Sequence, residues 1–171
     1  MKGEALMKLS ARLLATALLA TAFLSSPILC FAAGGGGGAG GDNNVSNADP
    51  VIAEAKAAIK KKDWAAAQAT LKQALATNPL NADYHNLYAY SMRKAGGVDM
   101  AVVFQHYDEA LRIDPKHRGA HEYSGEAYLE ANNLPKAKEH LAALDKLCFF
   151  GCEEYTDLKK AVAAFEANHK R

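Results

Sequence analysis

The chain has 171 residues and a formal net charge of +1 at pH 7. Beyond residue 33 it carries 17 basic and 18 acidic side chains, so most of the chain is close to neutral. Because a nucleic-acid-binding domain needs a basic footprint, this balance argues against nucleic acid as a partner. Roughly 120 residues follow position 48, which is enough for one domain with its own core.

Residues 1–33 predict a secretory signal peptide. Two lysines and Arg12 precede an apolar run, 13-LLATALLATAFL-24, and small residues follow at Ala32 and Ala33. A charged start, a short apolar stretch and a small-residue exit are typical of such a peptide. The run is too short for a good membrane span. We therefore expect cleavage after Ala32 or Ala33, no membrane span in the mature chain, and a periplasmic or secreted location.

Cys30 offers a second interpretation of this segment, in which it becomes the acylated residue of a lipoprotein. The preceding Pro27-Ile28-Leu29 lacks the small residues that such processing normally uses, so the cleaved signal peptide is favoured.

Residues 34–47, GGGGGAGGDNNVSN, predict a flexible linker. Glycine at this density costs too much backbone entropy to order without side chains to bury. We assign the segment no role beyond that of a spacer.

From Asp49 onward every long segment is rich in alanine, leucine, lysine and glutamate and is typical of helix. Two breaks, at Asn78-Pro79 and Asp114-Pro115, lie 36 residues apart, and each follows an Ala-Leu pair that ends a helical pattern. Shorter polar or glycine turns lie between them. A period of this size with two helices per unit predicts a stack of helical hairpins.

Small side chains, large apolar side chains and proline recur at matching positions within this period. The first unit carries Ala55, Ala67, Leu71, Ala74 and Pro79, with Asp63-Trp64 in the turn; the second carries Ala89, Gly96, Tyr107, Ala110 and Pro115; the third carries Gly125, Tyr128, Ala137 and Leu141. On these residues the chain resembles the tetratricopeptide repeat family over roughly residues 48–150. The third unit lacks the closing proline, and the region around Cys148 takes its place.

The resemblance implies an all-α protein, a right-handed α-α superhelix of three hairpins (48–81, 82–117 and 118–150). A capping helix and tail are expected over 151–171. Tyr155, Leu158, Val162 and Phe165 form an apolar stripe at helical spacing there. Repeat arrays need such a helix to cover the last open apolar face, so we expect seven helices in all.

Cys148 and Cys152 lie where the last repeat helix gives way to the cap. An exported chain that keeps two cysteines favours a disulfide, which here would fix the cap against the third hairpin. A thioredoxin-like redox centre needs Cys-x-x-Cys beside a βαβ unit, and neither is present. Metal binding by both thiolates with His140, Glu153 or Glu154 remains an alternative.

Motifs for catalysis are missing from the sequence. It contains no nucleophile elbow, no phosphate-binding loop and no His-Glu-x-x-His. His117 and His121 have ligand spacing but straddle a turn, and the other helical histidines look isolated. We therefore expect no enzyme activity, no cofactor and no resident metal.

The resemblance implies that the first helices of the hairpins line a concave groove for a peptide or helix of another protein, here one of the cell envelope. The groove residues that the resemblance implies are Lys56, Lys60, Asn86, Tyr90, Arg93, Lys94, Glu122 and Glu126. They predict a basic end and an acidic end, although mixed charge is also typical of an ordinary solvated face. Leu87 and Tyr123 depart from the family's clamp for a C-terminal carboxylate.

Overall fold

The computed structural model describes residues 49–169, so the predicted signal peptide and linker lie outside the described residues. Within this range the chain forms helices and no strand. The seven helices are α1 (Pro50–Lys60), α2 (Trp64–Thr77), α3 (Ala82–Ala95), α4 (Met100–Ile113), α5 (Arg118–Glu130), α6 (Leu134–Leu147) and α7 (Glu153–His169). The predicted all-α class and the predicted seven helices are confirmed.

Polar side chains start the helices where the sequence places them. The Asp49 carboxylate accepts a hydrogen bond from the Val51 N–H at 2.8 Å, and Pro50 occupies the first turn of α1. Asn133 caps α6 in the same way by accepting from the Lys136 N–H at 3.2 Å. Such caps satisfy backbone donors that have no partner inside the helix.

The helices form two layers. α1, α3, α5 and α7 contact one another in succession, whereas α2, α4 and α6 contact only the helices next to them in the chain. The helices α1, α3, α5 and α7 lie closer to one another than α2, α4 and α6 do. The stack therefore curves toward the layer of α1, α3, α5 and α7, and the face of that layer turned away from the other helices is concave. The result is the expected helical-repeat superhelix. None of the described helices combines the length and the apolar character needed to cross a bilayer.

Small residues allow this close packing. Ala55, Ala67, Ala89 and Ala137 are fully buried. Gly125 on α5 shows the constraint most directly, because a Cβ atom built there would lie 2.5 and 2.8 Å from the two Cδ atoms of Leu158 on α7. The cap helix therefore rests on the backbone of α5 itself.

Hydrogen bonds and ion pairs at repeat spacing join the starts of successive first helices. The Tyr84 hydroxyl donates to Asp49 at 2.8 Å. His117 contacts Asp83 at 3.2 Å, and Arg118 lies 3.8 Å from Glu154. Each contact spans 34 to 36 residues of sequence, so the polar contacts repeat with the same period as the small residues.

The predicted Cys148–Cys152 disulfide is present, with the two Cα atoms 5.5 Å apart. Cys148 ends α6, where its N–H donates to the Leu144 carbonyl, and the Cys152 Sγ accepts from the Tyr155 N–H at the start of α7. Gly151 between them has a φ of 84°, a left-handed conformation that glycine adopts without strain. The bond thus joins the end of one helix to the start of the next.

We expect Gly125→Ala to destabilise the protein by about 1 kcal/mol. Overpacking against Leu158 costs about 1–3 kcal/mol of stability. Alanine has a better helix propensity than glycine, which offsets up to about 1 kcal/mol of this cost. In a Leu158→Ala background the clash disappears, so the same change should become neutral or stabilising. Urea denaturation of the four proteins measures both effects, and an equal effect of Gly125→Ala in both backgrounds would contradict the packing.

Reduction of the disulfide should lower the free energy of unfolding by at most about 2 kcal/mol, because the bond closes a loop of only five residues. Urea denaturation with and without reductant measures the loss. A variant with alanine at both cysteines is the control and should not respond to reductant. An unchanged wild-type midpoint would show that the bond contributes nothing to stability.

Candidate functional site

The candidate site is the concave face formed by α1, α3, α5 and α7. Of the residues predicted for it, Lys56, Lys60 and Lys94 are exposed, and Tyr90 and Glu126 are partly exposed. The other three are buried, with exposed fractions of 3% for Asn86, 7% for Arg93 and 9% for Glu122. The predicted residues therefore divide into an exposed or partly exposed set and a largely buried set.

The buried Arg93 guanidinium forms ion pairs within the protein. Its two terminal nitrogens donate to Glu126 at 2.7 Å and to Glu130 at 2.6 Å, which ties α3 to α5. Burial opposes the charge, but Tyr107 and the two carboxylates outweigh burial and raise the pKa of Arg93. The basic character that α3 presents to a partner therefore comes from Lys94.

Aromatic rings meet at the middle of the face. The Tyr90 ring lies 4.5 Å from that of Tyr123 on α5 and 6.2 Å from that of Trp64 at the start of α2, measured between centroids. The Lys94 ammonium lies 5.6 Å from the Tyr90 centroid. The sequence placed Tyr90 in the groove, Tyr123 at a clamp position and Trp64 in a turn. It did not predict that the three rings meet, because their directions depend on the packing of three helices.

Asn86 packs between α3 and α5 against Gly119. Its side-chain oxygen has no hydrogen-bond partner among the described residues. The amide therefore lies beneath the accessible face.

Glu122 lies on α5 toward the cap helix. Burial raises the pKa of its carboxyl to about 8, and the negative charges of Glu126, Glu154, Asp157 and Glu153 act in the same direction. The acidic end that the sequence predicts from two residues thus draws on α7 as well as on α5.

The histidines that look isolated in the sequence, His85, His106 and His140, each have a histidine partner, which corrects that interpretation. His85 and His106 approach through their Nδ1 atoms at 2.9 Å, and His121 and His140 do so at 3.1 Å. Facing helices bring together residues 19 or 21 positions apart. The Nε2 atoms of His85 and His121 contact the carbonyl oxygens of the two repeat prolines.

In the pair of His121 and His140, the hydrogen bonds determine which ring nitrogen of each histidine carries the proton. A carbonyl only accepts, so the His121 Nε2–H donates to Pro115 and its Nδ1 accepts from the His140 Nδ1–H. The His140 Nε2 then accepts from the Ser124 hydroxyl at 3.2 Å. Burial, and then the nearby His121, lower the pKa of His140 to about 4. The network is satisfied by neutral rings and needs no metal ion.

The disulfide also has a carboxylate beside it. One oxygen of Glu154 and the two sulfur atoms lie within 4.8 Å of one another. While the sulfur atoms are bonded to each other they cannot act as thiolate ligands. This juxtaposition becomes a possible metal site only in the reduced protein.

We expect the stability that His140 provides to be lost in acid. The pKa of His140 is lower in the folded state, about 4, than in the unfolded state, about 6.5. Its contribution to the free energy of unfolding is therefore complete above pH 6.5. It is lost as the pH falls toward 4, because the unfolded state then binds a proton that the folded state does not. The stability difference between wild type and His140→Gln should therefore narrow, by on the order of 1 kcal/mol between pH 7 and 5. Urea denaturation measures it, with the exposed His169→Gln as control. A difference that does not change with pH would contradict the assignment.

Comparison with known proteins gives a likeness of fold. No protein-family model matches the chain, and no curated protein matches its sequence. Among solved structures, it is similar to the type III secretion translocator chaperone SycD of Yersinia enterocolitica, in a crystal structure of an alternative dimer. The TM-score is 0.60 at 12% identity, and the match covers 76% of this chain and 98% of that one. The described part of the chain is thus an all-α helical repeat with the fold of that chaperone.

Proposed function

We propose that the chain is an exported, non-catalytic protein-binding module of the tetratricopeptide repeat family, and that its concave face holds a peptide or helix of another protein in the cell envelope. The observation that carries the proposal is the continuous inner face of α1, α3, α5 and α7. Its side chains differ in charge from one end to the other, with aromatic rings between. The similar fold of a chaperone is compatible with this role.

The charge along the face gives a partner segment a direction. Lys56 and Lys60 on α1 are exposed at one end, and Lys94 on α3 adds to them. At the other end an acidic group surrounds Glu122 on α5 and includes Glu126 on α5 and Glu153, Glu154 and Asp157 on α7. Complementary charge orients an encounter and speeds it more than it adds affinity. A segment with acidic residues toward α1 and basic residues toward α7 matches this order.

A binding role is favoured over catalysis by the burial of the one serine–histidine contact found in the described part of the chain. Ser124 and His140 lie within hydrogen-bond distance, the arrangement that activates a serine nucleophile. Ser124, however, is fully buried in the interior. A substrate cannot reach its hydroxyl, so this contact serves packing.

Export is supported by the charged and apolar pattern of residues 1–33. It is supported as well by the disulfide, since such bonds form and persist in oxidising compartments. A location in the envelope places the partner there too.

Site-specific photocrosslinking tests the proposal. A benzophenone amino acid is placed at Lys56, Lys60 or Lys94 of the full chain in intact cells. We expect all three positions to capture the same polypeptide, because they share one face. Positions Lys72 on α2 and Gln105 on α4 are matched controls, as both are exposed on the outer layer. The mass of this protein, isolated from the same cells without crosslinking, reports whether residues 1–32 or 1–33 have been removed.

Charge reversal at Lys56 and Lys60 together should weaken the crosslink from Lys94 several-fold, whereas Lys72→Glu should not. Equal capture from inner and outer positions, or none from the inner ones, would overturn the proposed function.

A second candidate is a thiol or metal protein that uses Cys148 and Cys152. The observation that favours it is the approach of Glu154 to both sulfur atoms. A free-thiol count and metal analysis of the native protein decide it, because a fully oxidised and metal-free pair removes this candidate.

A further inference from the structure

Glu122 is a buried carboxyl group without a hydrogen bond. Its exposed fraction is 9%, and it makes no hydrogen bond or ion pair within the described chain. Burial of a polar group without a partner costs free energy, and burial of an unpaired charge costs more. In the described chain, the side-chain atoms that are both closed off from solvent and unpartnered belong to Asn86, Arg93 and Tyr107, so the Glu122 oxygens keep some contact with solvent. A donor from outside the chain can therefore reach them.

Three of the four neighbouring carboxylates already have cations. Glu126 binds Arg93, Glu154 lies near Arg118, and Asp157 contacts the Lys160 ammonium at 3.2 Å. Each cation is therefore engaged by a different carboxylate. Glu153 is exposed to solvent, so Glu122 is the buried member of this group that has no cation.

The register of α5 and α7 places Glu122 in this group. Arg118, at the start of α5, lies beside Glu154, and Gly125 lies against Leu158. Glu122 falls between these two contacts on α5, so it faces the first two turns of the cap helix. Negative charge from both helices therefore meets at this end of the concave face.

The spacing of the carboxylates favours an extended cation over a metal ion. A calcium ion takes several oxygen ligands at about 2.3–2.6 Å, which requires them to converge closely. In the part of the chain that the structure describes, no three of these carboxylates place oxygen atoms within 4.8 Å of one another. A guanidinium or ammonium group carries several donors on a long stem and tolerates wider spacing.

We propose that Glu122 anchors a basic side chain, arginine or lysine, of the segment bound in the groove. The inference rests on the proposed function and names the chemistry that the partner brings to the α5–α7 end. The Tyr90–Tyr123 ring pair, on the α3 side of α5, offers apolar surface for the methylene stem of that side chain.

Binding of such a cation should release a proton. The pKa of the empty Glu122 carboxyl is raised to about 8 by burial and by the surrounding carboxylates, so the group is protonated at neutral pH. A bound cation favours the ionised form. Affinity should therefore rise with pH up to about 8 and level off above it.

The test uses blocked tripeptides, Ac-Ala-Arg-Ala-NH2 and its neutral citrulline analogue, with the mature chain labelled for NMR. We expect the arginine peptide to shift the amide signals of residues 122, 126 and 154, and to bind at least about 10-fold more tightly at pH 8 than at pH 6. The citrulline peptide should shift none of them. Glu122→Gln should abolish both binding and its pH dependence, and the exposed Glu139→Gln on α6 should change neither.

Comparison of the two peptides on the wild-type chain keeps the test valid even if Glu122→Gln fails to fold. Equal binding of both peptides, or binding of neither, would overturn the inference. So would calcium chloride shifting the same signals at lower concentration than the arginine peptide. Loss of peptide binding while the groove still crosslinks a partner would overturn the anchor alone. Peptide binding without any crosslink would keep the anchor and overturn the proposed function.

Discussion

The architecture depends on how closely neighbouring inner helices approach. Where α7 crosses α5, the side chain of Leu158 occupies the space that a Cβ atom on residue 125 would need. Alanines fill comparable places at Ala55 and Ala89, both fully buried. Because large side chains are excluded from these contacts, the inner helices lie against one another while α2, α4 and α6 do not. Curvature, and with it a concave face, follows from this difference between the two layers.

Polar contacts then fix the register of the stack and determine what the face presents. Bonds from Tyr84 to Asp49 and from His117 to Asp83 join the starts of successive inner helices. Arg93 joins the middle of α3 to α5 by engaging Glu126 and Glu130. These contacts neutralise charge that the sequence alone would assign to the surface. The exposed lysines at one end and the unpaired Glu122 carboxyl at the other remain for a partner.

The cap helix α7 both closes the core and adds residues to the candidate site. The Cys148–Cys152 bond closes the turn between α6 and α7, while Leu158 and Val162 cover the last apolar face. The same helix brings Glu154 and Asp157 to the inner face beside Glu122. A helix that terminates the core thus also completes the acidic end of the candidate site.

Local features of the chain are determined by the sequence. The helix starts at Asp49 and Asn133, the left-handed turn at Gly151 and the small residues at repeat spacing depend on contacts within a few positions or on a strict period. The pairing of His121 with His140, the internal use of Arg93 and the burial of Glu122 depend on which faces of separate helices meet. Helical periodicity predicts which side of a helix a residue lies on. It does not predict which helix packs against that side or how deeply the side chain is buried there. Tertiary packing therefore decided which predicted groove residues are exposed and which buried carboxyl group has no hydrogen bond.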